Sequence, residues 1–291
     1  MSFLRRRPTI EAKTPEQLRL MRRAGLVVAD TLALARERAV AGISTRELDA
    51  LAEDAIRSAG AVPSFLGYHG FRGSLCISVN EEVVHGVPGG RVLADGDLVS
   101  IDCGAVVEGW HGDAALTLVV GGRERGSAAD RALMDDTEAS LWDGLAALRT
   151  GERLYAVGDA VEASVEAALE RRRREGVPGV EEYGILEDFV GHGIGREMHM
   201  EPNVPNYAVR SRGPVVPSGA TFAVEPMVTL GTIETRTLDD GWTVVTTDGS
   251  RAAHWEHTVA VTDAGLWVLT AHDGGAEQLS ARGVPVAALS A

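Results

Sequence analysis

The most restrictive feature of this sequence is an order of secondary-structure elements that occurs twice. Each half of the chain reads as two helices followed by short antiparallel strands, and no Pro/Gly/Ser-rich linker separates the halves. Amphipathic helices and half-apolar strands must bury their apolar faces against each other. The sequence therefore predicts an α+β fold in which two related halves contribute strands to one sheet covered by helices. We expect residues 14–291 to form this single domain after a short N-terminal extension at 1–13.

The predicted helices begin at local capping patterns and end at glycines. Thr14 and Ser44 each stand three residues before a Gln or Glu, which is the pattern of a capping box. In the second half, Ser127 begins a helix that runs to about residue 148, and another helix spans roughly 155–174. The four helices are predicted to end at Gly42, Gly60, Gly151 and Gly176.

Strand-like segments follow each pair of helices. Apolar runs bounded by turn residues predict strands, and they are short throughout this chain. In the first half they lie at 74–79, 98–107 and 114–120, and in the second at 185–190, 221–230, 242–247, 253–261 and 267–270.

The net charge of the chain limits the classes of function that it can have. The net charge of -14 argues against general nucleic-acid binding, which relies on a basic surface. Two arginine runs, at 5–7 and 171–174, are interpreted as a solvated tail and a solvated helix end, with contact to RNA or the ribosome as the alternative. We therefore predict no specific nucleic-acid partner and leave a transient ribosome contact open.

Cysteines and apolar segments indicate the compartment. Only Cys76 and Cys103 are present, so the chain has neither a disulfide framework nor a CxxC zinc pattern. The basic N-terminus is followed by no apolar run, and no segment approaches the roughly 18 apolar residues of a membrane span. We expect a cytoplasmic protein without a membrane partner, and the predicted fold is complete as a monomer.

Two carboxylates occupy strands that should be buried. Asp102 and Asp113 lie on the two arms of a predicted hairpin that turns near Glu108 and Gly109. A turn centred between Val107 and Glu108 would place the two aspartates directly opposite each other. Facing carboxylates on an apolar sheet repel and are costly to bury, so a cation between them is one interpretation. A turn cap in solvent is the other interpretation of this pair taken alone.

The second half repeats this pattern. Glu225 lies inside the apolar segment TFAVEPMVTL, and Glu256 lies on a strand that follows the Asp248-Gly249 turn. His192 stands between two glycines, which permit close backbone approach and let its side chain project into a cavity. The recurrence in both halves favours a metal site over isolated buried acids.

The chemistry of these five side chains indicates hard divalent ions. Four carboxylates and one imidazole suit Mn, Fe(II) or Co(II), and suit Zn less cleanly than a thiolate or multi-histidine site would. Five ligands with bridging carboxylates are enough for two ions roughly 3.5 Å apart, the usual spacing in two-metal hydrolysis.

Several segments together resemble methionine aminopeptidase of the type I, bacterial kind. The similarity runs from about residue 10 to 270, and no long insertion precedes GWTVVTTDGS. The resembling segments are KTPEQLRLMRRAG, FLGYHGFRGSLCISVNEEVVHGVP, SIDCGAVVEGWHGDAALT, GHGIGREMH, FAVEPMVTLG and DDGWTVVTTDGSRAAHWEHTVAVT. The resemblance implies the pita-bread (creatinase/aminopeptidase) fold, with pseudo-twofold halves and an antiparallel sheet covered by helices. It also implies removal of the N-terminal methionine from nascent polypeptides whose second residue is small.

The resemblance assigns roles to individual residues. The five-ligand pattern falls, without substitution, on Asp102, Asp113, His192, Glu225 and Glu256. Glu225 would also act as the base in metal-assisted hydrolysis of the amide, with two divalent ions (Co, Mn, Fe(II) or Zn) as cofactors. His85 would lie near the scissile amide nitrogen and His199 near the scissile carbonyl oxygen. The remaining histidines are interpreted as structural or surface residues, with His254 and His257 as neighbours that could support Glu256.

The substrate side chain is expected in an apolar pocket. By resemblance, its lining residues are Phe65, Tyr68, Phe71, Cys76, Met198 and Trp242. Three positions depart from the family pattern: Met198 replaces a phenylalanine, Met200 an acidic residue, and Phe65 a frequent cysteine. All three departures affect the pocket and its rim, and none affects the expected metal ligands.

Two alternative functions remain open. The first is an Xaa-Pro peptidase of the same fold, but such enzymes usually carry a large N-terminal domain and this chain has about 13 residues before its first helix. The second is a non-catalytic pita-bread protein that binds peptides or ribosomes. Proteins of that kind have typically lost ligands, whereas all five are present here.

Overall fold

The structure, a computed structural model, describes residues 10–287, and this range contains five α-helices. The helices are α1 (Pro15–Arg38), α2 (Thr45–Ser58), α3 (Ala128–Ala146), α4 (Ala156–Glu175) and α5 (Ala276–Ala281). Among the described helices, none is long and apolar enough to cross a membrane. The first arginine run and positions 1–9 of the predicted extension lie outside the described residues, and the division into an extension and one domain stays a prediction.

The helix starts predicted from capping patterns are confirmed. The backbone N–H of Gln17 donates to the Thr14 hydroxyl, and the Gln17 side chain accepts from the Thr14 N–H, so both bonds of a capping box form. Ser44 caps α2 and Ser127 caps α3 in the same way. Gly176 ends α4 in the left-handed conformation, with φ 68°. Helix α5 was not predicted.

Fifteen short strands lie within the described residues. The first five are β1 (Val62–Pro63), β2 (Leu75–Val79), β3 (Glu82–Val84), β4 (Leu98–Val107) and β5 (Trp110–Val119). The next five are β6 (Gly184–Ile185), β7 (Gly191–Gly193), β8 (Met200–Val204), β9 (Ala220–Val224) and β10 (Met227–Thr229). The last five are β11 (Thr235–Thr237), β12 (Val244–Thr246), β13 (Ala252–His254), β14 (Glu256–Thr262) and β15 (Gly265–Val268).

The largest differences between the predicted and the observed strands are one truncation and two divisions. The segment 185–190 is a strand only at its first residue, in β6. The segment 221–230 is divided into β9 and β10, because Pro226 has no N–H to continue a ladder. The segment 253–261 is divided at Trp255, and β13 and β14 belong to different sheets. At Pro226 the chain leaves the main sheet, and at Trp255 it enters the main sheet again.

The main sheet joins the two halves of the chain. Its strand order within the described range is β1-β4-β5-β14-β9-β7-β8, with β2 paired to β4 and β15 paired to β14. All of these pairs are antiparallel, and the first half meets the second at β5 and β14. The predicted shared antiparallel sheet is therefore confirmed.

Helix α1 packs closely across the central hairpin. A side chain at Gly112 of β5 would place its Cβ 2.7 Å from the backbone nitrogen of Gly25 in α1. A Cβ on Gly25 would in turn lie 2.2 Å from the Leu269 carbonyl oxygen. Only glycine permits this approach of backbones, so the helix fixes the strand that carries Asp113.

The arginine run at the end of α4 is not simply solvated. Arg171 and Arg172 both donate to the buried carboxylate of Asp136 on α3, at 2.8 and 2.9 Å. The Tyr183 hydroxyl donates to the same carboxylate at 2.8 Å. The interpretation of these two arginines as solvated is therefore wrong, because they hold α3, α4 and the following segment together.

Candidate active site

Acidic side chains from three strands project from one face of the main sheet. Asp113 pairs with Gly104, and Asp102 pairs with Ala115, which in turn pairs with Glu256. Because side chains alternate between faces along a strand, all three carboxylates lie on the same face. Asp113 is 4% exposed and Glu256 is 2% exposed, so these carboxylates are in the protein interior.

The predicted register of the hairpin is wrong by two residues. Glu108 and Gly109 have φ of 51° and 78°, which is the backbone of a type I′ turn centred between them. Asp102 and Asp113 are consequently diagonal neighbours and do not face each other directly. Diagonal pairs on one face remain within reach of a shared ion. The interpretation of Asp102 and Asp113 as ligands of one cation is therefore unaffected by this correction.

The second half of the chain supplies an imidazole and another carboxylate. His192 lies on β7, opposite Ala223 of β9. Glu225 follows β9 directly, at the point where the strand leaves the main sheet, and the Asn206 side-chain amide donates to its carbonyl oxygen at 3.1 Å. The His192 Nε2 atom is 3.5 Å from the Glu225 Oε1 atom. The structure therefore brings the predicted side chains of both halves together.

The donor atoms of this cluster fit a divalent cation. One ligand atom each of Asp113, His192 and Glu256 lie within 4.8 Å of one another. In the described part of the chain, the buried oxygens Asp102 Oδ1, Asp113 Oδ1 and Glu256 Oε1 have no hydrogen-bond partner. Buried polar atoms are normally paired, so these three oxygens require a partner that the chain does not supply. A hard divalent ion is such a partner.

Burial changes the protonation equilibria of the cluster. It raises the pKa of Asp102 to about 7. It also raises the pKa values of Asp113, Glu225 and Glu256 well above their usual range, and repulsion from neighbouring carboxylates adds to these shifts. Burial lowers the pKa of His192 to about 3, so its imidazole is neutral. A cation among these groups would favour ionised carboxylates again.

Two further histidines face the same cavity. The His85 ring contacts the edges of Phe189 and Trp242, and burial lowers its pKa to about 4. His199 lies with its ring centroid 4.4 Å from that of His192, and burial lowers its pKa as well. Both imidazoles are therefore neutral near pH 7, and both line the cavity that contains the carboxylates.

An apolar pocket opens beside the carboxylates in the same cavity. Phe65, Phe71, Cys76 and Met198 form a buried cluster, against which Tyr68 and Trp242 pack. All six residues predicted to line the pocket therefore converge. The cavity also has walls that the sequence did not predict, formed by Val84, Asp188, Phe189 and Val190.

Two histidines that were interpreted as structural or supporting residues lie close to the site. His111 precedes Asp113 by two residues on the same strand and so shares its face, with Nδ1 3.0 Å from the Ser64 hydroxyl. The His254 Nε2 atom is 3.9 Å from a Glu225 oxygen and has no hydrogen-bond partner in the described residues. The spacing of two along a strand is the signal that could have identified His111.

Two other histidines lie elsewhere, whereas His69 contacts Tyr68 of the pocket, with ring centroids 4.4 Å apart. His257 is on the opposite face of β14, where its Nδ1 atom is 2.8 Å from the Thr270 hydroxyl and its ring contacts Trp142. His272 is exposed and pairs with Asp30 at the surface. Support of Glu256 by His257 is therefore excluded by the direction of its side chain.

The sequence matches the model of metallopeptidase family M24 over residues 19–263. It is 52% identical to methionine aminopeptidase 1 of Mycobacterium tuberculosis, over 93% of this chain and 98% of that protein. It is 46% identical to methionine aminopeptidase 1 of Bacillus subtilis, over 90% of this chain and 99% of that protein.

Solved structures have the same fold. Methionine aminopeptidase from Thermotoga maritima superposes with a TM-score of 0.82 at 37% identity, covering 90% of this chain and 99% of that one. Prolidase from Pyrococcus furiosus superposes with a TM-score of 0.65 at 22% identity, covering 89% of this chain and 65% of that one, which shows a shared fold alone. The chain therefore belongs to metallopeptidase family M24 and, within it, to the methionine aminopeptidases of the pita-bread fold.

Proposed function

We propose that this chain removes the N-terminal methionine from nascent polypeptides, preferring a small second residue, by hydrolysis at a site for two divalent metal ions. One observation carries the proposal: three buried carboxylate oxygens without a hydrogen-bond partner in the described chain share a cavity with an apolar pocket. A cation site beside an apolar pocket is what a metallopeptidase specific for an apolar terminal residue requires. The relatives named methionine aminopeptidase support the same reaction.

The metal ions would be held by the five side chains that both halves contribute. These are Asp102, Asp113, His192, Glu225 and Glu256. A bound divalent ion supplies Lewis-acid chemistry, which lowers the pKa of water and polarises a carbonyl oxygen. Because Mn, Fe(II), Co(II) and Zn compete through geometry and availability, the proposal concerns this class of ion and not one element.

Glu225 is the proposed base. It would accept the proton of the attacking water on a carboxylate oxygen and pass that proton to the scissile amide nitrogen. Its side chain lies 3.5 Å from His192 and thus among the other cluster residues. Burial raises the pKa of Glu225 in the metal-free protein, and a bound cation would favour its ionised form, which is the form that accepts a proton.

His85 and His199 are proposed to contact the reacting amide. His199 would donate an N–H to the scissile carbonyl oxygen, where negative charge develops, and His85 would contact the amide nitrogen. Both side chains line the cavity, and burial lowers both pKa values, to about 4 for His85. Neutral imidazoles can donate a hydrogen bond without adding positive charge beside the metal ions.

The apolar pocket is proposed to hold the methionine side chain. An unbranched thioether suits a slot lined by aromatic rings and sulfur atoms, here including Cys76 and Met198. A branched side chain such as leucine would overpack the slot, at a cost of about 1–3 kcal/mol for one misplaced methyl group. The pocket therefore supports methionine as the first residue of the substrate.

Peptide hydrolysis tests this proposal. We expect turnover of Met-Ala-Ser by the metal-loaded protein, much slower turnover of Met-Leu-Ser, and no release of alanine from Ala-Pro peptides. Chelation should abolish the activity, and Mn, Fe(II) or Co(II) should restore it. Preferential cleavage of Ala-Pro peptides would indicate an Xaa-Pro peptidase, and absence of turnover with any metal would indicate a binding protein.

Three further predictions belong to this proposal. They are a monomeric state, a cytoplasmic location and, as an open alternative, transient contact with the ribosome. The pairing of Arg171 and Arg172 with Asp136 reduces the basic surface that α4 can offer to RNA. Sedimentation of the purified protein with and without ribosomes would test both the oligomeric state and the contact.

A further inference from the structure

A tyrosine hydroxyl contacts one of the two histidines that face the substrate. The Tyr68 hydroxyl oxygen lies 2.8 Å from the Nδ1 atom of His199, and the two ring centroids are 5.4 Å apart. The aromatic ring of Tyr68 also lines the apolar pocket. This contact gives its hydroxyl group a separate role.

The backbone of Tyr68 is held in a closed turn. Gly67 has φ 87° and begins a short 3-10 turn over Tyr68–Gly70. The Tyr68 N–H donates to the Phe65 carbonyl, and the Phe71 N–H donates to the Tyr68 carbonyl, both at 2.9 Å. The turn therefore fixes the backbone position of Tyr68, from which its hydroxyl reaches His199.

The opposite side of the His199 ring is left available. Its ring packs against His192 with an interplanar angle of 71°. Within residues 10–287, the Tyr68 hydroxyl is the one hydrogen-bond partner of this ring. The Nδ1 atom is thus engaged by the protein, while Nε2 is free for a substrate atom.

We propose that Tyr68 is a positioning residue for His199: its hydroxyl donates to Nδ1 and thereby fixes the proton of the neutral imidazole on Nε2. A neutral imidazole carries one N–H, and the hydrogen bond at one nitrogen decides which nitrogen carries it. Burial and the nearby Glu197 raise the pKa of Tyr68, which keeps its hydroxyl protonated and able to donate.

The inference deepens the proposed function and rests on the role of His199 given there. With the proton on Nε2, His199 presents a donor to the scissile carbonyl oxygen. With the proton on Nδ1, it would present a lone pair to the same oxygen, and the developing negative charge would be repelled. The Tyr68 hydroxyl therefore selects the productive form of the imidazole without touching the substrate itself.

Tyr68→Phe tests the kinetic part, because it removes the hydroxyl and keeps the ring that lines the pocket. We expect kcat for Met-Ala-Ser to fall about tenfold, the upper range for one neutral hydrogen bond, while KM changes less than twofold. Tyr183→Phe is the matched control, since it removes a hydroxyl bound to Asp136 at the same 2.8 Å but between the helices. That control should leave kcat unchanged.

The same substitution in a His199→Ala background separates positioning from direct action. If the hydroxyl acts through His199, Tyr68→Phe should reduce kcat less than twofold in that background. A tenfold loss there would overturn the inference, because the hydroxyl would then act independently of the histidine. An unchanged kcat for the single Tyr68→Phe variant would overturn it as well.

Nitrogen-15 NMR of histidine-labelled, zinc-loaded protein gives a readout that does not depend on turnover. His199 should be protonated on Nε2 in the wild type and should shift toward a mixture of tautomers in Tyr68→Phe. An Nδ1-protonated His199 in an active enzyme would overturn this inference alone. Absence of Met-Ala-Ser cleavage by the wild type, with the Nε2–H signature present, would instead overturn the proposed function.

Discussion

Two regions of the molecule bury carboxylates, and they differ in what surrounds them. On α3, Asp136 is 3% exposed and accepts hydrogen bonds from Arg171, Arg172 and the Tyr183 hydroxyl. On the face of the main sheet, Asp113 and Glu256 are buried to the same degree, yet one oxygen of each has no partner in residues 10–287. The chain itself neutralises the helical carboxylate and leaves the sheet carboxylates without compensation.

This difference separates a structural carboxylate from a candidate ligand. Burying an ion costs several kcal/mol unless opposite charge and hydrogen bonds compensate it. Two guanidinium groups supply that compensation at Asp136. At the sheet, repulsion among acids adds to the effect of burial and raises their pKa values. Removing a carboxylate should therefore have opposite effects on metal-free stability in the two regions.

The largest effect is expected from Asp113→Ala. Metal content and kcat/KM for Met-Ala-Ser should fall together, the latter by about 10³-fold or more, because Lewis-acid stabilisation is worth several kcal/mol. The metal-free variant should melt above the metal-free wild type at pH 7.5, since a buried carboxyl group whose pKa is raised lowers the stability of the folded state at that pH. Metal analysis, peptide kinetics and thermal melting measure these three quantities. Full activity of the variant would remove Asp113 from the site.

The next largest effect is expected from a substitution that separates the chemical step from metal binding at the same face of the sheet. His199→Ala should lower kcat by roughly 10²–10³-fold, the scale for loss of one oxyanion donor. Metal content should remain equal to that of the wild type, because His199 is proposed to contact substrate only. Loss of one metal equivalent in the variant would mean that His199 is a ligand.

Asp136→Asn tests the other region, in which arginine side chains neutralise the buried carboxylate. It should lower the free energy of unfolding by about 2–3 kcal/mol, less than a fully buried pair would lose, because the Arg171 side chain is 41% exposed. Peptide kinetics at 25 °C should stay within twofold of the wild type. Urea unfolding supplies the stability value. A stabilised variant would contradict the contrast between the two regions.

The smallest effect concerns the wall of the pocket next to the carboxylates. Met198→Phe should change the ratio of kcat/KM for methionine and norleucine peptides by up to about tenfold, because a rigid ring replaces a flexible chain. Metal content should not change. Identical selectivity in wild type and variant would place Met198 outside the substrate pocket.

Local signals in the sequence predicted the helices well. The capping boxes at Thr14 and Ser44 depend on residues three positions apart, so the sequence contains all the information they need. The divisions at Pro226 and Trp255 depend on which sheet each half-strand joins. That choice is made by distant strands, and the apolar pattern continues through both divisions.

The sequence predicted which residues form the site better than it predicted their relative positions. The five proposed ligands and six pocket residues converge in one cavity, whereas the register of Asp102 and Asp113 was misjudged by two residues. A type I′ turn at Glu108 and Gly109 decides that register, and a shift of the turn by one residue moves every cross-strand pair. The Tyr68–His199 contact joins two loops, and no sequence spacing encodes it.

The most direct measurement is thermal melting of metal-free protein at pH 5 and pH 7.5, with and without Mn²⁺. Burial raises the pKa of Asp102 to about 7, above an unfolded value of about 3.9. The stability that its protonated form contributes is complete below about pH 4 and is lost as the pH rises through about 7. The contribution of Asp102 to stability should therefore fall between pH 5 and pH 7.5, and Mn²⁺ should raise the melting temperature of the metal-free protein at pH 7.5. A melting temperature that Mn²⁺ leaves unchanged at pH 7.5 would contradict the assignment of the sheet carboxylates as a cation site.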